Sequence, residues 1–115
     1  MAVKELTPVK GNLNKITDFA FETADTASEG FRVKLPRSAD QYVIALVQNT
    51  GDKDAAFTVK KPVKGSYYAA CRDEVHSVSA GGFGIFRFEN AKWANRDSTM
   101  QFIPENTAVK AVVLY

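Results

Sequence analysis

Short runs of alternating apolar and polar side chains recur along this chain of 115 residues, each bounded by Gly, Pro, Asn or Asp. No window sustains apolar residues at helical spacing for three turns, so the local signal is that of strands. Thr17 to Thr23 places Phe19 and Phe21 on one face and Asp18 and Glu22 on the other. Phe31 to Leu35 alternates without exception and stops at Pro36, which has no N–H to give a ladder. Both read as strands with one wet face. Gln41 to Gln48 differs, because Tyr42, Ile44 and Leu46 on one parity and Val43, Ala45 and Val47 on the other are all apolar. That predicts a central strand covered on both sides. Asn49-Thr50-Gly51-Asp52 tolerates positive φ, and Ala55 to Lys60 returns with Phe57 and Val59 inward, which predicts a hairpin.

Lys60 to Gly65 reads as a turn region, Ser66 to Cys71 as a short strand and Val75 to Ser79 as another. Ala80-Gly81-Gly82 turns into Phe83 to Phe88, whose two parities, Phe83 with Ile85 and Phe86 with Phe88, predict a second strand flanked on both sides. Glu89 to Ala94 lacks alternation and reads as a loop or single helical turn that holds Trp93 against the rim. Met100 to Ile103, stopped by Pro104, and Ala108 to Tyr115 complete the set. About eight short strands at a spacing of roughly 8 to 12 residues predict an all-β fold, an antiparallel two-sheet β-sandwich of immunoglobulin-like or jelly-roll-like winding. Residues 16–115 would form it. Residues 1–15 are poor in apolar side chains, carry Pro8, Gly11 and lysines 4, 10 and 15, and read as an extended N-terminal arm of the kind that reaches a neighbouring subunit.

Composition narrows the classes further. A chain of this size, 45% hydrophobic, buries roughly two-thirds of its unfolded surface and needs no metal or cross-link to fold. The longest uncharged apolar stretch, Tyr42 to Val47, is far shorter than the roughly 18 to 20 residues of a membrane helix, so no membrane partner is expected. Met1 to Lys15 holds no apolar h-region, and synthesis in the cytoplasm is expected. One cysteine, Cys71, makes no internal disulfide, and with the one histidine, His76, it cannot build a four-ligand zinc site; no metal or cofactor is expected. A net charge of +2 lacks the excess of a dedicated nucleic-acid binder.

The sequence spells out no catalytic arrangement. No serine sits in a G-x-S-x-G elbow, and a Ser-His-acid triad would have to use His76, which alternation places with Val78 as a structural side chain. Cys71 and His76 are separated by five positions across a strand and turn, and a lone cysteine commonly packs as a small hydrophobe. In Gly81-Gly82-Phe83-Gly84 the third glycine of a dinucleotide loop would fall on Arg87, so turn duty is the better account. Asp52 and Asp54 read as a solvated turn tip, and Asp73-Glu74 and Asp18 with Glu22 as solvated charges. No catalytic residue is assigned and the chain reads as no enzyme. Phe86, Phe88 and Arg87, with Lys60, Lys61 and Lys64, have the residue types of a base-stacking platform with a basic rim, although filling a core has the stronger claim on the rings. Tyr67, Tyr68 and Trp93 suit a rim that meets a partner.

The order of Tyr42-Val43-Ile44-Ala45-Leu46-Val47-Gln48-Asn49-Thr50-Gly51, Phe57-Thr58-Val59-Lys60, Ala80-Gly81-Gly82, Phe88-Glu89-Asn90-Ala91-Lys92-Trp93 and Met100-Gln101-Phe102-Ile103-Pro104 resembles small immunoglobulin-like β-sandwich proteins of tailed bacteriophages and prophages, of the head-decoration or auxiliary-capsid type. The likeness spans Gln41 to Tyr115 and rests on structural turns. It implies a non-enzymatic capsid decoration (cement) or auxiliary virion protein, located in the virion, whose partner is the major capsid protein or another virion protein, with homo-oligomers among its assemblies. Within that reading Lys4, Leu6 and Lys10 are the attachment points of the arm, and Tyr67, Tyr68 and Trp93 the rim contacts. A carbohydrate- or surface-binding module stacking sugars on Tyr67, Tyr68 and Trp93 is the alternative, and a nucleic-acid-binding β-barrel the second alternative.

Overall fold

A computed structural model describes residues 3–11, 13–35, 42–62, 72–89, 93–95 and 97–115. In it the alternating runs become β1 (Lys4–Leu6), β2 (Phe31–Lys34), β3 (Tyr42–Asn49), β4 (Ala55–Val59), β5 (Glu74–Val78), β6 (Phe83–Glu89), β7 (Thr99–Pro104) and β8 (Val109–Leu114). They form a five-stranded sheet, β1-β2-β7-β4-β5, and a three-stranded sheet, β6-β3-β8. The fold is an all-β sandwich, as the periodicity predicts. Expectations for Pro36, for a strand at Ser66 to Cys71, and for Tyr67 and Tyr68 fall outside the described residues.

Its winding follows from the pairing. β4 pairs with β5, β3 with β6 and β2 with β7, all antiparallel, and Glu22 bridges Ala111 antiparallel beyond them. Partner numbers add to the same total, to within two residues, throughout this set. The chain is thus one long antiparallel ribbon, doubled back between β4 and β5 and folded over into two layers, which is the jelly-roll winding.

That winding overturns the hairpin expected at Asn49 to Asp52, because β3 and β4 lie in different sheets. The turn residues build a corner between layers. Asn49, buried, holds it: its Nδ2 donates to the carbonyls of Lys53 (2.8 Å) and Val78 (3.0 Å), and its Oδ1 accepts the Gly51 N–H (2.9 Å). An Asn49→Ala variant would leave those three backbone groups without their partner. We expect a loss of about 2 to 3 kcal/mol in urea unfolding; an unchanged midpoint would show that the corner is held elsewhere.

Two further expectations are corrected at the edge of β8. Thr17 to Thr23 forms no strand, only the Glu22–Ala111 bridge. The reason is competition for the edge: Val9 N–H donates to Val113 O (2.8 Å), Tyr115 N–H to Val9 O (3.0 Å) and Gly11 N–H to Tyr115 O (3.0 Å), so the stretch that Phe19 and Phe21 would pair with is already taken. Nor is the expected arm free where it is described: Lys4 to Leu6, Val9 and Gly11 are paired. β1 pairs in parallel with β2, Lys4 beside Phe31 and Leu6 beside Val33, before Val9 to Gly11 cross to the other sheet. This segment laces the two layers together.

The inner faces carry the core. β2, β4 and β7 bury alternate residues: Phe31 and Val33, then Ala55, Phe57 and Val59, then Met100, Phe102 and Pro104. Opposite them lie Val43, Ala45 and Val47 of β3, Phe88 of β6, and Val109, Ala111 and Val113 of β8. Cover on both sides of β3 and β6 is not found. Ile44 and Leu46 are only half-buried, while Phe83 and Ile85 are 68% and 72% exposed, because β6 is an edge strand whose outer face no layer covers among the described residues.

Candidate docking face

On the outer face of the three-stranded sheet, β6 and β3 carry side chains that the core leaves out, whereas Val112 of β8 is buried there. Register places Leu46 between Ile85 and Val112, and Gln48 between Phe83 and Lys110. The segment between Gly11 and Glu22, pinned to β8 at both ends, then lies beside this face. The Phe21 ring sits 6.0 Å from that of Phe83, and the Phe19 ring meets Phe21 edge-on at 5.9 Å. Phe19, Phe21, Phe83, Ile85 and Leu46 therefore make one connected apolar track. The same segment holds Leu13 and Ile16 at 88% and 95% exposure. On the same face Arg87 follows Ile85 along β6 and Lys110 precedes Val112 along β8, so basic side chains stand next to the apolar ones. Each exposed Å² of such surface costs roughly 25 cal/mol against burial, and contiguous aromatic patches are what protein interfaces bury.

The residues expected from sequence to meet a partner are placed differently. Leu6 is 4% exposed and belongs to the core, since alternation along Lys4-Glu5-Leu6 turns it inward. Trp93 is likewise buried, edge-on to Phe86 at 5.8 Å, and offers no face to a partner or a sugar. Lys4 is half-buried, its Nζ 3.4 Å from Glu22 Oε1, and Lys10 is exposed. Tyr67 and Tyr68 lie outside the described residues. The stacking platform also dissolves: Phe88 is buried and stacked on Phe86 at 5.5 Å, so of this trio only Arg87 points outward.

The remaining polar candidates serve structure. His76, on β5, shares a face with Glu74, whose Oε2 is 3.4 Å from its Nε2, and its ring lies 5.4 Å from that of Phe86. Asp54 accepts the Ala80 N–H (3.0 Å), and Gly82 N–H donates to Ser79 O (2.8 Å), so the glycines form a turn as expected. Asp73 accepts from Lys60 Nζ (2.8 Å) and Lys61 N–H (2.7 Å), which hold its carboxyl below the usual carboxylate range and tie the end of β4 to the start of β5. A crevice of about 240 Å³ opens beside Leu6, Val9, Ala20 and Val112. Its two carboxylates are already matched, Glu5 by Arg32 and Glu22 by Lys4.

Alternation does not mark Leu13, Ile16, Phe83 or Ile85 as surface residues. The available signal is Gly84, a residue with no side chain for the inner face between the two exposed ones; a strand well covered on both sides seldom gives up a packing position. Compared with known proteins, the chain matches no protein-family model, no curated protein and no solved structure.

Proposed function

We propose that this chain is a non-enzymatic structural protein that docks, through the outer face of β6-β3-β8, onto a repeating protein lattice: the capsid of a tailed bacteriophage, as a decoration or auxiliary virion protein. The observation that carries the reading is the connected apolar track from Phe19 through Phe21 and Phe83 to Ile85, left in water on an otherwise well-packed sandwich. The likeness of Gln41 to Tyr115 to phage head-decoration proteins supplies the lattice. Docking on such a surface needs no deep cavity. Modest affinity per copy suffices, because each particle offers many equivalent sites.

Co-sedimentation with particles, or with assembled major capsid protein, tests it. Phe83→Ser and Phe19→Ser should each lower the apparent affinity about tenfold, the effect of removing one aromatic contact from an interface centre. Because both side chains are solvated in the free protein, unfolding midpoints should scarcely move. Undiminished sedimentation of the double variant would end the docking reading.

A further inference from the structure

We infer that two copies of this chain pair edge to edge through β6, antiparallel about a two-fold axis at Ile85. Four strands end the two sheets, and three of them are guarded. The β8 edge is occupied by Val9, Gly11 and Glu22. β1 is only three residues long. β5 carries the Glu74 carboxylate at its edge on the face toward the other layer, with His76 3.4 Å away, and a carboxylate so placed is a known device against pairing with other strands. β6 has seven residues and no proline, and among the described residues no strand pairs along its second edge. Such an edge is a template for another strand.

The sequence of β6 suits a second copy of itself. With Ile85 opposite Ile85, antiparallel register sets Phe83 against Arg87 of the second copy on the outer face, and Gly84 against Phe86 of the second copy on the inner face. Each match is complementary: aliphatic with aliphatic, guanidinium beside an aromatic ring, and a large ring over the missing side chain of a glycine. Parallel pairing would instead set arginine against arginine. An antiparallel pair of strands has its two-fold axis perpendicular to the sheet. The two three-stranded sheets would thus merge into one of six strands, with both outer faces on the same side. The two apolar tracks then adjoin, and in this respect the inference rests on the docking reading: the dimer would present a double platform to two lattice sites.

Oxidative cross-linking tests the axis. In a Cys71→Ala background, Ile85→Cys places two thiols across the two-fold at a Cα separation of about 4.5 to 5.5 Å, within disulfide reach. Mild oxidation should convert it almost wholly to a covalent dimer. Val75→Cys, comparably exposed at 66% on β5, should remain monomeric on the same gel. The wild-type chain should sediment as a dimer and Ile85→Lys as a monomer with an unchanged circular dichroism spectrum. A monomeric wild type, or an Ile85→Cys yield no higher than that of Val75→Cys, overturns the pairing. Particle binding separates the two ideas. A monomer that still binds particles overturns only the dimer, whereas a dimer that binds none overturns only the docking reading.

Discussion

Replacing Gly30 by alanine should destabilise the protein by about 3 kcal/mol or more, while the same change at Gly81 should cost only about 1 kcal/mol. Both glycines have positive φ, +65° and +69°, and so share the backbone penalty of a left-handed residue. They differ in the space around them. A Cβ on Gly81 would meet nothing within 4 Å, whereas one on Gly30 would fall 2.2 Å from the Phe102 carbonyl oxygen and 2.9 Å from Ile103 Cδ1. That obstacle is backbone in the middle of a sheet, so relief requires moving β7 away from β2. Gly30 also accepts the Lys4 N–H (3.0 Å) at the start of β1. A displaced Gly30 therefore loosens the N-terminal lacing as well. For a domain of this size the loss corresponds to a fall of roughly 12 °C or more in Tm. Equal effects at the two glycines would show that β2 and β7 are not packed as closely as described.

How far the sequence reveals such detail depends on the range of the interaction. Face assignment is local: Phe31 with Val33, and Phe57 with Val59, declare an inner face by simple alternation, and the structure buries all four. Layer assignment is not. Asn49-Thr50-Gly51 has the same chemistry whether it closes a hairpin or turns a corner, and only the pairing of β4 with β5 and β7 decides it. Thr17 to Thr23 alternates well, yet it meets a β8 edge that Val9 and Gly11 already hold, a competitor adjacent in space rather than in pattern. The exposed face of β6 was hidden by the same limit. Hydrophobicity marks Phe83, Ile85, Leu6 and Trp93 alike as residues that gain from burial. Which two find cover depends on whether a second layer lies over them. Trp93 and Leu6 face the sandwich interior, whereas Phe83 and Ile85 face away from it.

Phe102→Ala should be the most damaging single truncation, at about 3 to 5 kcal/mol from lost burial and the cavity left behind. Phe102 is fully buried on β7, beside Phe31 of β2 and Val59 of β4 in register, so it stands at the middle of the five-stranded sheet. Its ring stacks on Phe57 at 5.3 Å within its own sheet and meets Phe88 edge-on at 6.3 Å across the interior. It therefore joins the two layers as well as filling space, and each aromatic pair adds about 0.5 to 1.5 kcal/mol to the cost of losing it. A domain this small has only about 5 to 15 kcal/mol in total, so the variant should lose a large share of its stability and unfold well below the wild-type midpoint. Ile103→Ala, one residue on and half-buried on the opposite face, should cost about 1 kcal/mol. Phe83→Ala should change the stability of the protomer by less than about 0.5 kcal/mol, since its ring lies outside the core. Chemical denaturation of the three variants separates a phenylalanine that holds the layers together from one left outside them. A Phe83 variant as unstable as the Phe102 variant would place Phe83 in the core and remove the docking face.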